Sequence, residues 1–148
     1  MSQSITLLAP VGLSHAAVLN AIWALIEHGV KPSKVILLHT LGSAKVARDL
    51  RKVLSHVLQA RVELKQVNEE DVESAISTVE EVAKRELEAG RRVVVDITGG
   101  RKTMSAALFA AASKLGLEVY YLHLRDQSYM NKLYPLVPRG VQKLVKLR

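Results

Sequence analysis

The sequence predicts an α/β fold built on an open, mainly parallel sheet with helices on both faces. Three observations carry this. Five short β-branched or aliphatic runs alternate with four longer stretches of helical period, the order that right-handed β-α-β crossovers produce. The run Val93, Val94, Val95 has no polar alternation, as expected of a central strand covered on both sides. The length, 148 residues, suits one domain that buries about 68–70% of its unfolded surface. Together these describe a Rossmann-like single domain over 1–148.

The elements follow in order. A strand over 5–9 leads to a helix over 14–28, where Val18, Ile22, Leu25 and Ile26 repeat on one face. Gly29 ends it and Pro32 blocks continuation. A second strand, 34–39, precedes a helix over 43–58 with Val46, Leu50, Val53, Leu54 and Val57 on one stripe and basic residues opposite. A third strand, 62–67, precedes a helix over 69–89 that carries Val72, Ile76, Val79, Val82 and Ala83 and closes at Gly90. The fourth strand is 92–97. An Ala-rich helix over 102–115 stops at Gly116 and leads to the fifth strand, 117–124. Beyond Leu124 the pattern weakens, and 133–137 with 142–147 are expected to pair as a terminal β-hairpin around Pro138 and Gly140. The core is therefore 1–124, with a basic extension over 125–148.

The formal charge is +7, but it is uneven: residues 1–124 carry 15 Lys/Arg against 13 Asp/Glu, and 125–148 carry six against one. The tail cations Arg139, Lys143, Lys146 and Arg148 fit either a guarded edge strand or a polyanion contact. Trp23, Phe109 and four Tyr are too few for a long stacking groove on single strands, so no long nucleic acid is expected. With no cysteine, disulfide scaffolds and thiolate metal sites are excluded. No H-x-x-x-H pattern or carboxylate cluster points to a metal, and no cofactor is expected. No leader pattern occurs and no apolar run approaches the ~20 residues a bilayer needs. A soluble cytoplasmic protein is expected.

In an open doubly wound sheet, ligands bind beyond the carboxyl ends of the strands where strand order reverses. That selects residues 10–14 after the first strand and 98–102 after the fourth. In the second loop, Gly99 and Gly100 allow a tight turn and bring backbone N–H groups near a ligand, and the following helix offers its positive end. Arg101 and Lys102 at that end oppose the helix dipole by about 0.3–1 kcal/mol, so an anion is expected to offset them. In the first loop Ser14 is placed to cap its helix, beside Gly12 and Leu13. Walker and G-x-G-x-x-G motifs do not fit, because Arg101 separates Gly100 from Lys102.

The stretch Asp96-Ile97-Thr98-Gly99-Gly100-Arg101-Lys102-Thr103-Met104-Ser105 is similar to the Asp-x-Thr-Gly-Gly-x-Lys-x-Met-Ser signature of CARF domains, agreeing at all seven fixed positions. CARF domains are CRISPR-associated Rossmann folds that bind cyclic oligoadenylates. In the standalone ring nucleases that this chain resembles, cleavage depends on a Ser in the first loop and the Lys of the second, which are Ser14 and Lys102 here. The resemblance implies a homodimer around one ring. It further implies metal-independent attack of a ribose 2′-OH on cyclic tetraadenylate, giving linear diadenylate with a 2′,3′-cyclic phosphate and silencing the CRISPR signal. Gly12, Leu13, Thr98, Gly99, Gly100, Arg101 and Thr103 are the ligand-binding candidates. His39 and His123, at the ends of the second and fifth strands, are candidates to line the pocket or are hydrogen-bonded structural histidines. Asp96 reads as a loop organiser. Arg51 and His56 match the R-x4-H pattern of HEPN ribonucleases, but they lie in a helix the sheet requires. The alternative function is a non-catalytic sensor or sponge for the ring, or the sensor domain of a larger effector or regulator; ring size stays open.

Overall fold

The computed structural model describes residues 3–148. Its strands are β1 (Ile5–Val11), β2 (Lys34–His39), β3 (Arg61–Gln66), β4 (Arg92–Asp96), β5 (Glu118–Leu124) and β6 (Gln142–Lys146); its helices are α1 (His15–Glu27), α2 (Ala44–Val57), α3 (Val72–Glu88) and α4 (Lys102–Leu115). They form one six-stranded sheet in the order β3-β2-β1-β4-β5-β6. The first five strands are parallel and β6 runs antiparallel to β5. The chain builds outward from β1 to β3, then returns to β4 on the other side. Strand order therefore reverses between β1 and β4, as the sequence predicts.

Both faces of the central strands are buried, so they carry no polar alternation. Leu8, Ile36, Leu38, Val93 and Val95 pack under α3 and α4 with Val79, Ala83, Leu108 and Ala111. Leu7, Ala9, Val35, Leu37 and Val94 face α1 and α2 through Ile22, Leu25, Leu50 and Leu54. At the amino ends of the strands Glu86 is buried in a polar knot. It accepts hydrogen bonds from Thr6 Oγ1 (2.9 Å), Lys34 Nζ (2.9 Å) and Arg85 Nε (3.2 Å). Burial alone would raise its pKa, but the bonds from Lys34 and Thr6 and the Lys34 charge hold it below the usual value.

Three details differ from the sequence reading. β1 runs on to Val11, pairing with β2 through Val11 and His39; its pairing with β4 stops at Leu8 and Val95, so Pro10 needs no donor on that side. The third helix begins at Val72, not at 69, because Asp71 caps it by accepting from Ser74 N (3.1 Å). The terminal hairpin does not form. Tyr134–Leu136 is a 3-10 turn, because Pro135 and Pro138 remove ladder donors and Tyr134 N donates instead to Asn20 Oδ1 (2.8 Å). β6 pairs directly with β5, with Leu124 opposite Gln142 and Tyr120 opposite Lys146. Of the tail cations, Lys146 Nζ donates to Glu118 Oε1 (3.3 Å) and Arg148 Nε to the Leu117 carbonyl (3.3 Å). The end of the extension, 142–146, thus finishes the sheet. No helix among the described residues is long and apolar enough to cross a membrane.

Candidate functional site

The β1–α1 and β4–α4 loops lie backbone against backbone at the reversal point. A Cβ on Gly12 would stand 3.1 Å from Gly100 Cα, and one on Gly100 would stand 2.7 Å from Pro10 Cβ. Gly100 also has φ of +78°, the left-handed region that costs glycine nothing. This interlock points the amino ends of α1 and α4, with their unpaired N–H groups, at one edge of the sheet.

The signature residues hold the second loop in place. Asp96 is 1% exposed. Its Oδ1 accepts from Thr98 Oγ1 (2.6 Å) and Thr98 N (3.2 Å). Thr98 Oγ1 in turn accepts from Leu122 N (2.9 Å), tying the loop to β5. Ser105 Oγ donates to the Ile97 carbonyl (3.1 Å), and Met104 is buried beneath Gly100. Asp96 Oδ2 is buried with no partner. Burial pushes the Asp96 carboxyl up to about 7, against the opposing hydrogen bonds from Thr98 and Ile97 N. Its role is the organising one read from the sequence.

Ser14 caps α1, accepting from Ala17 N (3.2 Å), and donates to Asn131 Oδ1 (2.8 Å). Arg101 is 72% exposed and sits 3.1 Å from Glu69 Oε2, an ion pair by distance that is not aligned as a hydrogen bond. The anion expected beside Arg101 is thus a side chain of the chain itself. Lys102 opens α4 on its exposed first turn; among the described residues no carboxylate pairs with it.

A cleft of ≈ 970 Å³ opens at this edge. It is lined by Gly12, Leu13, Ser14, Thr98, Gly99, Gly100 and Arg101 together with residues 40–43, 66–70, Met130 and Asn131. Seven predicted residues therefore converge. Lys102 and Thr103 stand outside that lining, on the exposed turn. His39 does not line the cleft: it is buried, with Nδ1 2.9 Å from the Thr40 carbonyl. His123 also lies outside it, exposed on β5 with its ring 6.2 Å from that of Tyr121. A second cavity of ≈ 290 Å³ shares Ser14, Ala17, Thr98, Met130 and Asn131 with the cleft and continues past Tyr121 and Tyr129. Among the described residues no group of three His, Asp or Glu side chains could hold a metal ion.

Sequence reasoning missed the walls from the β2–α2 and β3–α3 loops and from Met130 and Asn131. The first two were reachable, since all parallel strands end at the same edge. Asn131 had only a faint signal: it adopts φ of +65°, a conformation Asn tolerates better than most residues.

The family model described as "CRISPR-associated protein (Cas_APE2256)" matches residues 14–131. No curated protein matches the chain. Among solved structures, Can2 from Sulfobacillus thermosulfidooxidans in complex with cyclic tetra-adenylate aligns with a TM-score of 0.66 at 19% identity, covering 86% of this chain and 35% of Can2. A type III CRISPR defence DNA nuclease activated by cyclic oligoadenylate gives 0.64 at 20% identity, with 84% of this chain and 19% of that one covered. Enterococcus italicus Csm6 bound to cyclic hexa-2′-fluoro-hexa-dAMP gives 0.64 at 16%, with coverage of 82% and 34%. This chain spans about a third or less of each of these proteins. At such identities the likeness is one of fold.

Proposed function

The chain belongs to the CRISPR-associated Cas_APE2256 family and folds as a CARF domain, and from that premise we propose that it binds a cyclic oligoadenylate at the reversal point and cleaves it. One observation carries the proposal. The interlock of Gly12 with Gly100 sets Ser14 and the Gly-Gly-Arg-Lys turn on one edge, where two helix amino ends favour phosphate. That two of the similar structures hold cyclic adenylates supports the ligand class.

Two chains related by a two-fold axis would present both copies of this edge to one ring. The favoured substrate is cyclic tetraadenylate. A ribose 2′-oxygen bonds to the adjacent phosphorus as the P–O5′ bond breaks; the 2′-OH proton passes to solvent and the 5′-oxygen takes one up. Two such events give two linear diadenylates ending in 2′,3′-cyclic phosphate. Holding the 2′-oxygen in line contributes several kcal/mol. Lys102, with which no carboxylate pairs among the described residues, would stabilise the charge that develops on the phosphoryl oxygens. Ser14 would hold the ribose, the N–H groups of Gly99 and Gly100 the phosphates, and Arg101 a phosphate in exchange for Glu69. Among the described residues the cleft lining holds no histidine, and its carboxylates are Glu69 and Glu70; turnover should be slow.

A second reading is favoured by Lys102 standing outside the cleft lining: a module that holds the ring intact for a separate effector. Calorimetric titration with cyclic tetraadenylate tests what both readings share. One ring per two chains is expected, and no heat of binding would refute both.

A further inference from the structure

We propose that Asn131 is a positioning residue that accepts the Ser14 hydroxyl hydrogen bond, so that Ser14 meets the ligand only as an acceptor and reads a ribose 2′-hydroxyl rather than a phosphate oxygen. The inference rests on the cyclic oligoadenylate reading and adds to it a residue from the segment between β5 and β6. A serine hydroxyl has one proton and two lone pairs. Ser14 spends the proton on Asn131 Oδ1 at 2.8 Å and one lone pair on Ala17 N at 3.2 Å. One lone pair remains. An ionised phosphodiester oxygen can only accept, whereas a ribose hydroxyl can donate, so the remaining valence selects the sugar.

The arrangement is anchored. Asn131 is followed by Lys132, whose carbonyl accepts from Asn20 Nδ2 (2.8 Å), while Asn20 Oδ1 accepts from Tyr134 N (2.8 Å). Tyr134 stacks on Trp23 with ring centroids 5.8 Å apart and donates to Glu27 Oε2 (2.7 Å). Asn20, Trp23 and Glu27 all belong to α1, the helix that Ser14 caps. The donor and acceptor are thus fixed to one rigid element, and both line the two cavities.

The test compares binding of cyclic tetraadenylate with its 2′-fluoro analogue, whose fluorine donates nothing. Wild type should favour the ribose ring by about ten- to a hundredfold, the worth of one net hydrogen bond from each of the two Ser14 copies that meet one ring. Ser14→Ala should abolish the preference. Asn131→Gly, which keeps the left-handed backbone available but frees the proton, should bring it close to one. Asn131→Asp, which still offers an acceptor oxygen, should restore the preference while weakening both rings through its charge. A preference that survives Asn131→Gly, is not restored by Asn131→Asp, or is missing in wild type that binds both rings equally, overturns this inference alone. Wild type that binds neither ring overturns the ligand reading and this inference with it.

Discussion

A Cβ added to Gly99 would stand 2.9 Å from the carbonyl oxygen of Pro10, a contact no real side chain makes without moving one of the two loops. Gly99→Ala is therefore expected to cost about 1–3 kcal/mol of stability, the usual range for overpacking, and to weaken ring binding at least tenfold by parting the loops. Thermal melting and ring titration on the same sample check both. Unchanged binding would show that the interlock does not shape the site.

Asp96 and Glu86 should give opposite pH signatures. The Asp96 carboxyl, raised by burial to about 7, takes up a proton on folding. Its contribution to stability is full below the ordinary carboxyl value of 3.8, falls as pH rises from there to about 7, and is flat above. Asp96→Asn, which keeps Oδ1 for Thr98, should flatten that stretch of the stability profile in denaturant melts.

Glu86 is held below its usual value despite burial, through Lys34 and Thr6, so its contribution is present at neutral pH and fades as pH falls below the carboxylate range. Glu86→Ala leaves Lys34 buried without its partner and should cost about 3–5 kcal/mol. The double variant Glu86→Leu with Lys34→Met should recover much of that loss, as measured by urea unfolding.

Arg101 and Lys102 are neighbours with different electrostatic surroundings. Arg101 is already opposed by Glu69 at 3.1 Å, so Arg101→Ala should weaken ring binding by less than tenfold. Lys102→Ala should instead slow single-turnover cleavage by about 10²–10³ with little change in affinity. Rates that rank the other way would exchange the two roles.

Most of the fold was legible because the signals were local and strong. Gly29, Gly90 and Gly116 end helices as read, and the Val93 to Val95 run fixed the central strand. The reversal point and the glycine turn followed from topology and from one ten-residue stretch. The strand over 142–147 forms as read, but 133–137 was misread because Pro135 and Pro138 divert it into a turn seated on α1, through Asn20, Trp23 and Glu27. No sequence period reports such long-range seating. For the same reason Asn131, 117 positions from Ser14, was not foreseen beside it. His39 and His123 were placed correctly at strand ends, but alternation and a backbone bond turn them away from the cleft. Glu69 entered the site because Asp71, rather than Glu69, governs the start of α3.

The most direct measurement is product analysis after incubating the protein with cyclic tetraadenylate in EDTA. Linear diadenylate carrying a 2′,3′-cyclic phosphate, formed by wild type and lost in Lys102→Ala and Ser14→Ala, is the expected result. Intact ring recovered from a wild-type sample that binds it would contradict cleavage and leave the binding module as the function.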